Sequence, residues 1–320
     1  MSGTTQTSET DVLKWLLAGD PSVRWQTQRH LQGAGPKTWR RERERVAVHG
    51  WGARILEEQA SDGTWGGGLY SPKWTSTTYS LILLRRLGLE PLHPAAVRGC
   101  EALVESGDSD DGGVDLSRGL NRSETCITGF VLGLITYFRL PSPRIEEIVD
   151  YLLREQMLDG GWNCLRYRGA THSSFHTTIN VLEGLRIYAE AGGERTEEAE
   201  AAEERAREFF LRHALYRSHR TGEVVKAVFS RFSFPPRWHH DVLRTLDYFR
   251  DSGAPCDSRL EDPIGLLRRK RREDGRWPLQ NRHPGRTYFE MEKAGEPSRW
   301  NTLRALRVLK WWAEVGGGAT

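Results

Sequence analysis

Glu58-Gln59-Ala60-Ser61-Asp62-Gly63-Thr64-Trp65-Gly66 is the stretch on which the fold turns. Its Asp-Gly pair makes a tight turn, because glycine adopts positive φ without a Cβ clash. The signature returns as Asp111-Gly112-Gly113, Asp159-Gly160-Gly161-Trp162 and Asp274-Gly275-Arg276-Trp277. The first three turns lie 49 and 48 residues apart. The last follows after 115, space for two longer units, with Thr221-Gly222 as the degenerate copy between them. Recurrence at such a period marks an array of supersecondary units.

The flanking sequence repeats as well. Before most turns a charged helical segment ends in Glu57-Glu58-Gln59, Glu155-Gln156 or Arg272-Glu273. After each turn a more apolar helix begins, at Ser76, Glu124, His176, His240 and Asn301. A sixth, Ser22 to Leu31, follows Asp20-Pro21, a cap and a first-turn proline. Charged helices alternate with these at Trp39–Gln59, Pro143–Gln156, Thr196–His213 and Asp257–Arg272. The pattern predicts an all-α chain, a single (α/α)6 toroid of about six helical hairpins. The barrel is expected over 11–315, between flexible ends at 1–10 and 316–320. Closure is expected because both end units carry apolar inner helices instead of polar capping repeats.

Composition narrows the class. The 320 residues are 38 % hydrophobic and 28 % charged, which suits a soluble domain with a continuous core. No apolar run approaches the roughly 20 residues of a membrane span. Residues 1–10 are Ser/Thr-rich without the apolar core of a secretory signal. Cys100, Cys126, Cys164 and Cys256 are scattered, as in a reducing cytoplasm. The arginine clusters Arg40–Arg45 and Arg268–Arg272 include or adjoin acidic residues, so they read as solvated helix faces and no nucleic-acid partner is expected.

The pattern Glu-Gln-x-x-Asp-Gly-x-Trp-Gly, recurring in register over residues 20 to 315, resembles the repeat of squalene/oxidosqualene cyclases and protein prenyltransferase β subunits. The resemblance implies a closed barrel with its chemistry where the inner helices begin. It also implies that the repeated Trp and Gln bridge neighbouring hairpins. Class II terpene cyclases protonate an alkene with the middle acid of Asp-x-Asp-Asp, and Asp108-Ser109-Asp110-Asp111 has those letters. Here that run merges into the turn at Asp111-Gly112-Gly113, thirteen residues before Glu124, and reads as a solvated turn.

Prenyltransferases hold zinc with Asp-x-Cys at the start of one inner helix and a His at the start of the next. Glu124-Thr125-Cys126 and His176 occupy those places, Glu replacing Asp with one more methylene. Carboxylate, thiolate and imidazole suit Zn2+, and three protein ligands leave a fourth position for water or substrate. Taken singly, Glu124 reads as a cap, Cys126 as a small buried hydrophobe and His176 as a hydrogen-bonded core residue. The resemblance also implies basic groups for a diphosphate. Arg118 stands six residues before Glu124, Asn121 takes the second basic position with Arg122 beside it, and Lys73 precedes another inner helix.

His239-His240-Asp241 opens a further inner helix, as candidate catalytic groups or as an ordinary cap. Trp74, Trp238 and Trp300 stand near the same rim, as substrate-contacting aromatics or as packing. The functional expectation is a cytoplasmic, zinc-dependent enzyme resembling a stand-alone prenyltransferase β barrel. It would act on an isoprenoid diphosphate or another small apolar substrate, by transfer or cyclisation. The alternatives are a metal-free cyclase-like enzyme using Asp110 or Asp111 as acid, and a non-catalytic ligand-binding barrel.

Overall fold

The computed structural model describes residues 9–116 and 122–316. Its helices are α1 (Glu9–Leu17), α2 (Pro21–His30), α3 (Pro36–Glu44), α4 (Gly50–Leu56), α5 (Thr77–Leu87), α6 (Pro94–Ser106), α7 (Thr125–Tyr137), α8 (Arg144–Arg154), α9 (Phe175–Glu190), α10 (Thr196–Arg212), α11 (Val242–Asp251), α12 (Glu261–Arg269) and α13 (Arg299–Glu314). Among the described residues the only ladder joins β1 (Trp277–Pro278) to β2 (Pro297–Ser298), so the chain is all-α. No helix among them is long and apolar enough to cross a membrane. Glu9 and Thr10, expected in a flexible end, begin α1; residues 1–8 and 317–320 lie outside the described residues.

The turn signature works through a fixed set of hydrogen bonds. The Trp65 amide donates to Thr77 Oγ1 (3.0 Å) on the following helix, and its indole to Ile55 O (2.7 Å) on the preceding one. Trp162 does the same to Thr178 (3.0 Å) and Leu152 (2.7 Å), and Trp277 to Thr302 (3.0 Å) and Leu267 (2.8 Å). In the copy without Trp, the Val114 amide takes Thr128 Oγ1 (3.0 Å). Each tryptophan thus pins the outer and inner helices of one hairpin while satisfying its own buried N–H. The glutamines link hairpins: Gln59 Nε2 donates to Gly63 O and to Ala95 O on α6, and Gln156 Nε2 to Gly160 O and to Ala202 O on α10. Gly222 forms the tip of a small hairpin in which Val225 pairs with Tyr216, the extended form of the degenerate turn.

The apolar helices α2, α5, α7, α9, α11 and α13 form an inner ring. Trp25 on α2 donates to Leu87 O on α5, Arg244 on α11 pairs with Glu183 on α9, and Arg304 on α13 with Asp247 on α11. Arg307 on α13 reaches Gln26 Oε1 on α2 (2.9 Å), so the first and last inner helices touch. Helices α7 and α9 pack closest, at Gly129 and Gly184. A Cβ on Gly184 would fall 2.3 Å from Gly129 O.

One expected helix is broken. Trp39–Gln59 divides into α3 and α4, separated by a short 3-10 turn at Arg45–Ala47. Gly50 sits at φ +70° against the Asp20 side chain, whose Oδ2 accepts from the Trp51 amide (2.8 Å). A Cβ there would lie 2.0 Å from that oxygen, so only glycine lets this carboxylate, the cap of α2, brace α4 as well.

A candidate anion site in an arginine-lined cavity

The end where the inner helices begin is roofed. The segment 282–292 lies across it. Arg286 and Lys73/Trp74 exchange backbone hydrogen bonds, Tyr288 Oη donates to Thr75 O (2.7 Å), and the Arg54 guanidinium covers Phe289 at 3.9 Å. Trp74 is buried, its indole donating to Pro284 O (2.9 Å). Lys73 Nζ lies over Tyr70 (5.0 Å) and Trp238 (5.6 Å). A small cavity of about 50 Å³ lies beside Trp74, His283 and Phe289.

Four histidines meet under this roof. His239 stacks between Trp238 (3.7 Å) and His283 (3.8 Å), with His176 edge-on at 5.5 Å. Burial, reinforced by neighbouring positive charge, lowers His176 and His283 to about 4 and His239 to about 3, so all three are neutral near pH 7. His240 has both ring nitrogens engaged, by Leu215 O (2.9 Å) and Thr245 Oγ1 (2.9 Å). Asp241 is buried and caps α11, accepting from the Arg244 amide (2.8 Å) and Ser233 Oγ (2.6 Å). Of the two readings the sequence left open at this helix start, catalytic groups or a cap, these partners are those of a cap. Their polar atoms hold the helix start, as a buried His-Asp cap requires.

The zinc set does not fit as a three-ligand group. Cys126 lies beside Cys164, whose sulfur accepts from the Cys126 amide (3.2 Å) and from Thr177 Oγ1 (3.5 Å). His176 Nδ1 accepts the His240 amide (2.8 Å). Glu124 caps α7. Among the described residues no three His, Cys, Asp or Glu side chains are grouped to hold a metal ion. Arg122 covers the Tyr167 ring (4.2 Å) at the surface, and Arg118 lies outside the described residues. Of the acidic run, Asp108 is exposed and paired with Arg144, and Asp110 is exposed. Asp111 is exposed too; although burial pushes its carboxyl up, hydrogen bonds from Ser123 and the Gly113 amide hold it below the ordinary range, the wrong direction for a proton donor.

The opposite end of the ring opens into a cavity of about 590 Å³. Nine arginines line it (Arg29, Arg43, Arg85, Arg86, Arg186, Arg244, Arg250, Arg304 and Arg307), against four carboxylates (Glu183, Glu190, Asp247 and Asp251). Trp25, Tyr137, Tyr248, Phe234 and Trp300 supply aromatic surface. Trp300, expected at the rim, instead stacks on Phe234 at 4.1 Å and contributes to the wall of this chamber.

Two carboxylates organise the arginines. Glu183 accepts from Arg85 (3.2 Å), Arg86 (2.7 Å) and Arg244 (2.8 Å). Asp247 accepts from Arg304 (3.3 Å) and Arg307 (2.6 Å). Burial alone would raise both acids. The guanidiniums override it, holding Glu183 well below its usual range and Asp247 at about 2. Five guanidiniums share these two carboxylates, so the ion pairs leave positive charge uncompensated. A buried excess of one sign is costly unless a counter-ion completes it.

Sequence reading missed this cluster. Its signal was present in charged residues inside otherwise apolar inner helices: Glu183 in α9, Arg244 and Asp247 in α11, Arg304 and Arg307 in α13.

No protein-family model and no curated protein matches the chain. Solved structures to which it is similar include a protein from Actinoplanes, at 19% identity and TM-score 0.47 over 92% of this chain and 90% of that one. They also include the type II terpene cyclase MstE from Scytonema without ligand, at 16% identity and TM-score 0.36 over 86% of this chain and 99% of that one. A substituted form of MstE in complex with geranylgeranyl dihydroxybenzoate gives 16% and 0.36, over 86% and 96%. Likeness at these values carries no argument about activity.

Proposed function

We propose that this chain is an enzyme that takes a small anionic substrate, best matched by an isoprenoid diphosphate, into the arginine-lined cavity. The observation that carries the reading is the excess of nine arginines over four carboxylates around one chamber. Guanidinium groups recognise phosphate oxygens through planar, charge-assisted pairs of hydrogen bonds. When a diphosphate leaves carbon, charge grows on its oxygens, and donors already held in place stabilise that charge without reorganising. The isoprenoid part rests on the resemblance of the repeated turns, and the aromatic side chains of Trp25 and Tyr137 in the cavity lining suit an allylic chain. Zinc at Glu124, Cys126 and His176 is not needed for this reading, and no step runs through it.

The test is thermal unfolding and calorimetry with inorganic diphosphate and geranyl diphosphate at low ionic strength. Both should bind and stabilise the fold, by about 2.7 kcal/mol at a hundred times Kd. Added salt should weaken them. No stabilisation by either compound at low salt overturns the reading.

A further inference from the structure

Among the residues that line the cavity are buried donors that the ion pairs do not use. Arg244 is 1% exposed: its Nε goes to Glu183 (2.8 Å) and its Nη1 to His239 O (2.9 Å). Its Nη2 is buried without a hydrogen-bond partner among the described residues. Arg304 is 3% exposed and repeats the arrangement, Nε to Asp247 (3.3 Å), Nη1 to Ser233 O (3.1 Å) and Nη2 unpartnered. Arg86 spends its Nη2 on Glu183 and leaves a buried Nε unpartnered. The indole N–H of Trp300, also buried, has no partner either.

All four residues line the one cavity, and they come from three helices, α5, α11 and α13. Arg86 is near enough to Arg244 and Arg304 for its charge to add to the effect of burial in lowering both. Buried N–H groups are almost always paired, and each one left unmade costs free energy. Four on residues of one chamber's wall, three of them on guanidiniums anchored by Glu183 or Asp247, are donors left for a ligand to complete.

Resting on the anionic-substrate reading above, we propose that Arg86, Arg244, Arg304 and Trp300 form a subsite for a terminal tetrahedral oxyanion of the phosphate type. The ligand enters anion first, and its organic part faces the mouth, beside Trp25 and Tyr137. Donors from three helices suit oxygens arranged in three dimensions better than a planar carboxylate. Glu183 and Asp247 face the same chamber and exclude a deeper anion by repulsion, while their own arginines stay in position.

The experiment measures binding of inorganic phosphate, inorganic diphosphate and acetate by calorimetry at low salt. It compares the wild type with Trp300→Phe and Arg304→Lys, and with Arg29→Gln and Arg43→Gln elsewhere on the cavity wall. Trp300→Phe removes the indole donor together with part of a ring packed on Phe234, and Arg304→Lys keeps the charge opposite Asp247; circular dichroism and the unfolding midpoint check that both fold. Each should weaken phosphate about tenfold, the value of one charge-assisted or buried hydrogen bond. Arg29→Gln and Arg43→Gln should weaken it less than Trp300→Phe and Arg304→Lys do, since their charge adds to the field of the cavity without supplying one of the buried donors. Acetate should bind more weakly than phosphate throughout.

Folded Trp300→Phe and Arg304→Lys proteins that bind phosphate like the wild type overturn the subsite. If Arg29→Gln or Arg43→Gln abolishes binding in that case, the anionic-substrate reading stands with the anion held elsewhere. Acetate binding as tightly as phosphate overturns the tetrahedral assignment. A wild type that binds no anion removes both readings together.

Discussion

Cys164 accepts hydrogen bonds from the Cys126 amide and the Thr177 hydroxyl, and the Cys126 thiol is its electrostatic partner. The Cys126 thiol comes first among the influences that lower its pKa, against burial, which raises it. The same pairing, with burial and the nearby Glu124 carboxylate, drives Cys126 well above the ordinary thiol value. Thiolate is the nucleophile, so iodoacetamide at pH 8 should modify Cys164 before Cys126, read by peptide mass spectrometry over time. Thr177→Val should slow the Cys164 reaction several-fold. Labelling of Cys126 first would show that the pair is polarised the other way. At this same scale His240 and Asp241 show what a residue pattern leaves open: the letters suit a general base or a cap alike, and the partners they meet are those of a helix cap.

Helices α7 and α9 meet through glycines that a side chain would force apart. A Cβ on Gly129 would lie 2.8 Å from Val181 Cα, and one on Gly184 only 2.3 Å from Gly129 O. On an isolated helix Gly→Ala stabilises by roughly 1 kcal/mol. At this contact overpacking wins, and Gly184→Ala should cost about 1–3 kcal/mol in urea unfolding. A stabilised Gly184→Ala protein would mean the two helices are not held at this distance. Helix starts were largely legible because the switch from turn to apolar run is local: Asp20, Ser76 and Glu124 stand at N-cap positions where sequence placed them, Asp20 with a side-chain cap. The division of α3 from α4 was not, since it depends on the Asp20 carboxylate thirty residues away in the chain meeting Gly50.

For the molecule as a whole, the ion network inside the ring ties stability to pH. Asp247 is held at about 2, below the ordinary aspartate value, so its contribution is complete above about pH 4 and is lost as pH falls toward about 2. Asp247→Asn leaves Arg304 and Arg307 without their carboxylate and should cost about 3–5 kcal/mol at neutral pH. Between pH 4 and 2 its stability should fall less steeply than that of the wild type. Parallel curves for the two proteins would show that Asp247 does not carry the acid limb.

The sequence by itself determined the hairpin repeat, the glutamine links between hairpins and the alternation of inner and outer helices, while the tryptophans, expected to bridge neighbouring hairpins, join the two helices of one hairpin. Each of these rests on contacts within a hairpin or between adjacent ones, so a local pattern repeated along the chain suffices to write them. Which end of the ring is open was decided only in three dimensions. Segment 282–292 folds back on Lys73 and Trp74, more than two hundred residues earlier, and roofs the end where the inner helices begin. The arginine chamber likewise exists only once α13 reaches α2 and the ring closes, bringing Arg86, Arg244 and Arg304 to one cavity. In the sequence those residues stand far apart in three apolar helices. Their charge becomes a site because closure removes them from water together, with too few carboxylates to balance them.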